Sequence, residues 1–205
     1  MLFMVVNVLF AAVTLRQNIP ELWDSILQSR HGLNLENKNI QCGNGRMLMK
    51  VIDVKDEDFV NYKLPSMYII MPYCSFKCGE AECQNSALAH AKTKDIIIIE
   101  LAKRFQNNPI TEAIVFGGLE PFDSEEDLIN FFIVFRCWCK ITAPIVIYTG
   151  YTEEEVEQKF NWIFGYKNVI IKYGRYIPNE ESHYDELLGV NLVSNNQYAK
   201  GYNLL

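Results

Sequence analysis

Residues 110–155 read ITEAIVFGGLEPFDSEEDLINFFIVFRCWCKITAPIVIYTGYTEEE, and their order decides the fold. Ile110 to Phe116 is an apolar run rich in β-branched and aromatic residues, short enough for a buried strand, and the pair Gly117-Gly118 ends it. Ser124 with Asp127 stands where a capping box opens a helix, which the apolar positions carry to about Lys140. Pro144 to Tyr148 is a second strand, and Thr152 with Glu155 a second capping box. Strand, helix, strand, helix is the order of parallel βα units.

The pattern continues on both sides. Upstream, Met47 to Val54 and Met67 to Met71 predict strands, and Asp95 is placed to cap a helix through about Phe105; downstream, Val169 to Tyr173 predicts a further strand. About six strands, with too few residues for eight repeats, predict an α/β fold: a partial or open (β/α)6-type barrel with parallel strands. Lacking further strands, such a barrel would leave its ligand face uncovered. Residues 47–205 are expected to form this catalytic domain, preceded by a mainly helical extension, residues 1–46. Within the extension Met1 to Leu15 is almost wholly apolar, yet no basic residue precedes it and it is shorter than the ~20 residues of a membrane span. It reads as a buried helix or strand rather than a signal peptide or anchor. Pro20 opens a second helix with Leu22, Trp23, Ile26 and Leu27 on one face, and the polar stretch from His31 to Arg46 reads as a linker.

A chain of 205 residues, 49% apolar, is long enough for one well-buried core. Its 19 basic and 25 acidic residues give a net charge of -6, and no dense Lys/Arg run could neutralise a row of phosphates, which argues against nucleic acid as a partner. Three of the six cysteines crowd into Cys74 to Cys83, which favours metal or redox chemistry in a reducing compartment over a disulfide framework. A cytoplasmic location, without membrane association, is the expectation.

In parallel βα folds the reactive groups sit on loops after the carboxyl ends of the strands. The cysteines follow one predicted strand, Gly117-Gly118-Leu119-Glu120-Pro121 the next and Thr149-Gly150 a third. The loop CSFKCGEAEC, residues 74–83, offers three thiols close enough to wrap a single metal centre, and thiolates suit zinc or iron-sulfur clusters. Structural zinc is closed by four ligands, but His90 and Cys42 stand at no usual finger spacing. A 4Fe-4S cluster usually takes four cysteines, so three would leave one iron open. On the loop alone, zinc, an iron-sulfur cluster and unliganded thiols all remain open. Two glycines let backbone approach a ligand, and Glu120 can receive an ammonium group, although a plain turn with a solvated charge also accounts for that stretch taken alone. Cys137 and Cys139, flanking Trp138, face different directions and read as buried thiols, while His90 and His183 read as surface or capping residues.

Together these stretches resemble the activating proteins of anaerobic, class III ribonucleotide reductase, in the radical S-adenosylmethionine superfamily. The marks are the three-cysteine loop ending in Cys83-Gln84-Asn85, the Gly-Gly-(Leu)-Glu-Pro loop, Ile147-Tyr148-Thr149-Gly150-Tyr151, Gly174-Arg175-Tyr176 and Asn195-Asn196-Gln197, over about three quarters of the sequence. The resemblance implies that Cys74, Cys78 and Cys83 hold a 4Fe-4S cluster whose fourth iron is chelated by the methionyl amino and carboxylate groups of S-adenosyl-L-methionine. It further implies that Gly117, Gly118 and Glu120 hold the methionyl ammonium, and that Asn85, Thr149 and Gly150 frame the cofactor. An electron from a flavodoxin or ferredoxin would then cleave the sulfonium, and the resulting radical would take hydrogen from a glycine of the anaerobic ribonucleotide reductase large subunit. Two departures stand out. Four residues rather than two separate the second and third cysteines, with Glu82 where the family commonly has an aromatic residue packed on adenine, and Leu119 is interposed before Glu120. Two other readings stay open: a radical S-adenosylmethionine enzyme acting on another peptide or small molecule, and a non-catalytic zinc-binding scaffold.

Overall fold

Runs of valine and isoleucine without a polar break can be buried on both faces, and such runs form the centre of a mostly parallel sheet. The computed structural model describes residues 47–205. The expected helices of residues 1–46, and Cys42 with them, lie outside these residues. The central strands are β3 (Ser66–Met71), β5 (Ala113–Gly118), β6 (Ile145–Tyr148) and β7 (Val169–Tyr173), each parallel to the next. Two antiparallel strands edge them, β2 (Asp53–Asp58) beside β3 and β10 (Tyr198–Tyr202) beside β7, giving a six-stranded sheet in the order β10-β7-β6-β5-β3-β2. β1 (Leu48–Val51) and β4 (Lys94–Ile97) form a separate antiparallel pair, and β8 (His183–Asp185) with β9 (Val190–Leu192) a hairpin.

The crossovers carry helices α1 (Ile98–Asn107), α2 (Glu125–Phe132) and α3 (Glu153–Lys159). Side chains alternate across β5, so Phe116 meets the helical side, where its ring lies 4.7 Å edge-on to Phe131 of α2. Ala113 and Val115 point the other way, into a cluster with Val146, Ile170, Tyr62, Leu188 and Leu192.

The mixed α/β architecture and the parallel centre agree with the sequence, but a closed barrel is not found among the described residues, and four strands rather than six are parallel. The chain after β7 carries Pro178, Gly189 and many asparagines but no helical period, so it returns as a hairpin and an antiparallel edge. Leu188 and Leu192 of that segment pack on one face of the sheet.

Local expectations fare unevenly. The predicted strand from Met47 to Val54 breaks at Ile52, whose N–H donates to the Ile70 carbonyl at 2.8 Å as the chain passes from one sheet to another. Asp95 does not cap α1; it lies in β4 opposite Lys50 and accepts a 2.9 Å bond from that ammonium, because the β-branched run from Ile96 favours strand until α1 begins. The Ser124/Asp127 box does not form either. Asp127 instead accepts from the Lys50 backbone N–H at 3.1 Å, and α2 gives way at Ile133 to a π-helical turn ending at Trp138. The Thr152/Glu155 box does form, with Glu155 N–H donating to Thr152 Oγ1 at 3.3 Å and Thr152 N–H to Glu155 Oε2 at 2.9 Å. Among the described residues no helix is long and apolar enough to cross a membrane.

Candidate functional site

β3, β5 and β6 end together because they are adjacent and parallel, so the three loops that follow them meet. The cysteine loop turns at Gly79, whose φ of +90° suits glycine, with Gly79 N–H donating to the Phe76 carbonyl at 2.8 Å. Phe76 N–H donates to Cys74 Sγ at 3.2 Å. Asp123, just past β5, ties the loops together: it accepts from Ser75 N–H at 2.5 Å and from the Tyr151 hydroxyl at 2.6 Å. Asn85 closes the cysteine loop onto β5 through a 2.9 Å bond from its amide to the Gly118 carbonyl.

Cys74, Cys78 and Cys83 are half-buried free thiols. Burial, helped by the nearby carboxylates of Glu120 and Asp123, pushes the Cys74 thiol up to about 11. Burial and the neighbouring Cys83 thiol raise Cys78. Both groups are therefore neutral in the metal-free protein, and a soft metal centre must displace their protons.

Gly118 turns the chain at φ +89°, and a Cβ there would meet Ile70 Cγ2 at 2.5 Å. The turn delivers Glu120 to the interior, where it is 7% exposed. Its Oε1 accepts from Thr149 Oγ1 at 2.8 Å and Phe122 N–H at 3.2 Å, and its Oε2 accepts from Gly150 N–H at 2.8 Å. Burial outweighs these donors and raises the carboxyl to about 7. The reading of Glu120 as a solvated charge is thus overturned. Thr149 and Gly150 act on Glu120: the hydroxyl and the amide orient the carboxylate.

Cys74, Cys78, Cys83, Asn85, Gly117, Gly118, Glu120, Thr149 and Gly150 all line one cavity of about 390 Å³. Its far wall comes from the β8–β9 hairpin and the loop after β2, including Asn61, Asn191 and Val193. His90 is exposed at the end of a 3-10 turn and His183 is half-buried at the start of β8; neither belongs to this lining. Cys137 and Cys139 are half-buried rather than buried, at the end of the π-helical turn. Sequence reasoning gave no site role to Tyr68, Tyr148 or Lys172, which also line the cavity. The signal for Lys172 was present: a lysine inside the apolar strand VIIKY.

The donor set suits an iron-sulfur cluster with an open iron, since one loop supplies three thiols beside a cavity able to admit a further ligand. Among the described residues no group of three or more His, Cys, Asp or Glu side chains is arranged to hold a single metal ion. No curated protein and no solved structure matches the chain. A family model does, over residues 66–198, from the start of β3 to that of β10, and it describes a 4Fe-4S single cluster domain. With more than half of its length matched, the chain belongs to the family of 4Fe-4S single cluster domains.

Proposed function

We propose that the chain is a radical S-adenosylmethionine activase that generates a glycyl radical on an anaerobic ribonucleotide reductase, with Cys74, Cys78 and Cys83 as the cluster ligands. The observation carrying this reading is the shared cavity, where three thiols, a glycine pair and a buried carboxylate meet at the carboxyl ends of parallel strands. A reduced 4Fe-4S cluster with one open iron supplies, when bound, the one-electron cleavage of the S-adenosylmethionine sulfonium. The chain's own share is to bind and orient. Glu120, held by Thr149, Gly150 and Phe122, keeps one acceptor position on Oε2 for the methionyl ammonium. Gly117 and Gly118 pack closely on Tyr68 and Ile70 and so set their backbone at the cavity wall, where Asn85 braces it. Tyr68, Tyr148 and Tyr176 offer aromatic walls for the adenine, since the position before the third cysteine is the exposed Glu82.

Val60 and Val193, both exposed and both on the cavity wall, give the rim an apolar edge suited to a glycine-bearing loop of the reductase large subunit. A flavodoxin or ferredoxin would supply the electron. The hairpin wall favours one second reading, a radical S-adenosylmethionine enzyme acting on a free peptide or small molecule. Anaerobic reconstitution, reduction with S-adenosylmethionine and assay for 5′-deoxyadenosine test the cofactor chemistry. Electron paramagnetic resonance on a mixture with the cognate reductase should then give a glycyl doublet that disappears when the radical glycine is changed to Ala. Turnover of a small metabolite, with no radical on the reductase, would replace the activase by the second reading. A colourless protein that binds zinc and no iron would overturn both.

A further inference from the structure

β7 is buried along its whole length, and within it stands Lys172, 6% exposed. An ammonium ion taken out of water is costly unless anions or dipoles replace its hydration. The Lys172 ammonium has three N–H donors and, among the described residues, gives one hydrogen bond to protein, 2.9 Å to the Gly174 carbonyl. That carbonyl already has a neutral donor, Gln197 Nε2 at 3.2 Å, so satisfying it does not require a cation. Among the described residues no carboxylate forms an ion pair with Lys172. Glu120 favours the charged lysine through its field, but its own oxygens are engaged by Thr149, Gly150 and Phe122. Burial lowers the ammonium to about 8, which leaves it mostly charged at neutral pH.

Lys172 lines the same cavity as Glu120 and the three cysteines. Between about pH 7 and 8 the cavity therefore presents a cation and an anion, not paired with each other and each with hydrogen-bonding capacity to spare. A phosphate dianion would meet the lysine but be repelled by Glu120, and a simple amine would meet the reverse. A zwitterion satisfies both. Resting on the radical S-adenosylmethionine reading, we propose that Lys172 holds the α-carboxylate of the ligand whose α-ammonium Glu120 receives, so that the cavity selects a zwitterionic α-amino acid head group.

The test separates carboxylate recognition from support of the fold. Cluster-reconstituted protein is titrated anaerobically with S-adenosylmethionine and with decarboxylated S-adenosylmethionine, which keeps the sulfonium, adenosine and amine. Lys172→Met should lose about tenfold or more in affinity for the former, the effect of removing a charge-assisted bond, and nothing for the latter. Lys172→Arg should recover part of the loss. If the Met variant fails to fold, Lys172→Gln, which keeps a donor but not the charge, carries the same comparison. Equal losses for both ligands, or none for S-adenosylmethionine, would overturn the assignment of Lys172 while leaving the cofactor reading intact. Wild-type protein that binds neither ligand would overturn that reading and this inference with it.

Discussion

Glu120→Gln removes one charge while keeping the side chain's shape. A carboxylate offers about four acceptor positions, and Thr149, Phe122 and Gly150 fill three of them, two on Oε1 and one on Oε2. An ammonium at the remaining position makes one charge-assisted bond, worth about 1.5 to 3 kcal/mol. Its loss should weaken S-adenosylmethionine binding roughly 10- to 150-fold at pH 8 with the cluster intact. The pH profile adds a second signature. Because burial raises Glu120 to about 7, wild-type affinity should fall as pH drops from 8 to 6 and the carboxyl takes up a proton, whereas the Gln variant should lack that limb.

The same raised pKa acts on stability. The folded state holds the Glu120 proton more tightly than the unfolded chain does, so this contribution is fully present below about pH 4.5 and is lost as pH rises through about 7. The difference is on the order of 3 kcal/mol. Urea unfolding of the cofactor-free protein should show it as a wild-type decline with pH that the Gln variant lacks. Anaerobic calorimetric titrations at pH 6, 7 and 8, with iron content measured alongside, give the binding half of the comparison. Equal affinities of the two proteins at pH 8, or a wild-type affinity flat across the range, would refute the ammonium role of Glu120.

Cys74→Ala, Cys78→Ala and Cys83→Ala should each abolish iron retention after anaerobic reconstitution, while Cys137→Ala and Cys139→Ala retain it; bleaching as complete by Cys42→Ala would refute a three-ligand site. Gly118→Ala must accommodate a Cβ 2.5 Å from Ile70 Cγ2 at a φ of +89°, and should lower stability by about 1 to 3 kcal/mol in urea unfolding. A wild-type midpoint for that variant would mean that the turn tolerates a side chain. Thr152→Ala breaks the capping box of α3 by removing the Oγ1 that accepts from Glu155 N–H, while the Glu155 carboxylate keeps its bond from the residue 152 N–H and its 2.8 Å grip on Arg175 through both oxygens. It should cost about 1 kcal/mol by the same assay, and no measurable change would show the box to be idle.

Strands were legible where apolar runs were uninterrupted, and β3 and β7 lie close to where Met67–Met71 and Val169–Tyr173 placed them. Helix starts were legible only where local bonding decides them. Thr152 and Glu155 need nothing but each other. Ser124 and Asp127 were outbid by tertiary structure, because Lys50, distant in sequence, takes the Asp127 carboxylate. The edges of the sheet were beyond pattern reading, since nothing local tells an antiparallel return at β10 from another parallel strand. In the site, residues named from loop position came together because parallel neighbours end on one side. Lys172 was passed over because its strand reads as core, and only the sheet order reveals that its position opens on the cavity.

The segment after the glycine pair and the cysteine loop are tied together in the structure. Leu119, the interposed residue, is 6% exposed, so it extends the core rather than bulging outward. Its N–H donates to the Met71 carbonyl at 3.3 Å, and that of Glu120 to the Tyr73 carbonyl at 2.7 Å, which carries the contact between β3 and β5 beyond Gly118. The chain leading into Cys74 and the chain leading into Glu120 therefore advance side by side. On the far side of the longer cysteine loop, Asn85 returns to the Gly118 carbonyl. Glu120 then reaches the end of β6, where Thr149 and Gly150 supply the donors that orient it. The two loops follow adjacent strands, and the hydrogen bonds before Cys74 and after Cys83 tie the cysteine loop to the glycine turn, so the thiols and the carboxylate line one cavity.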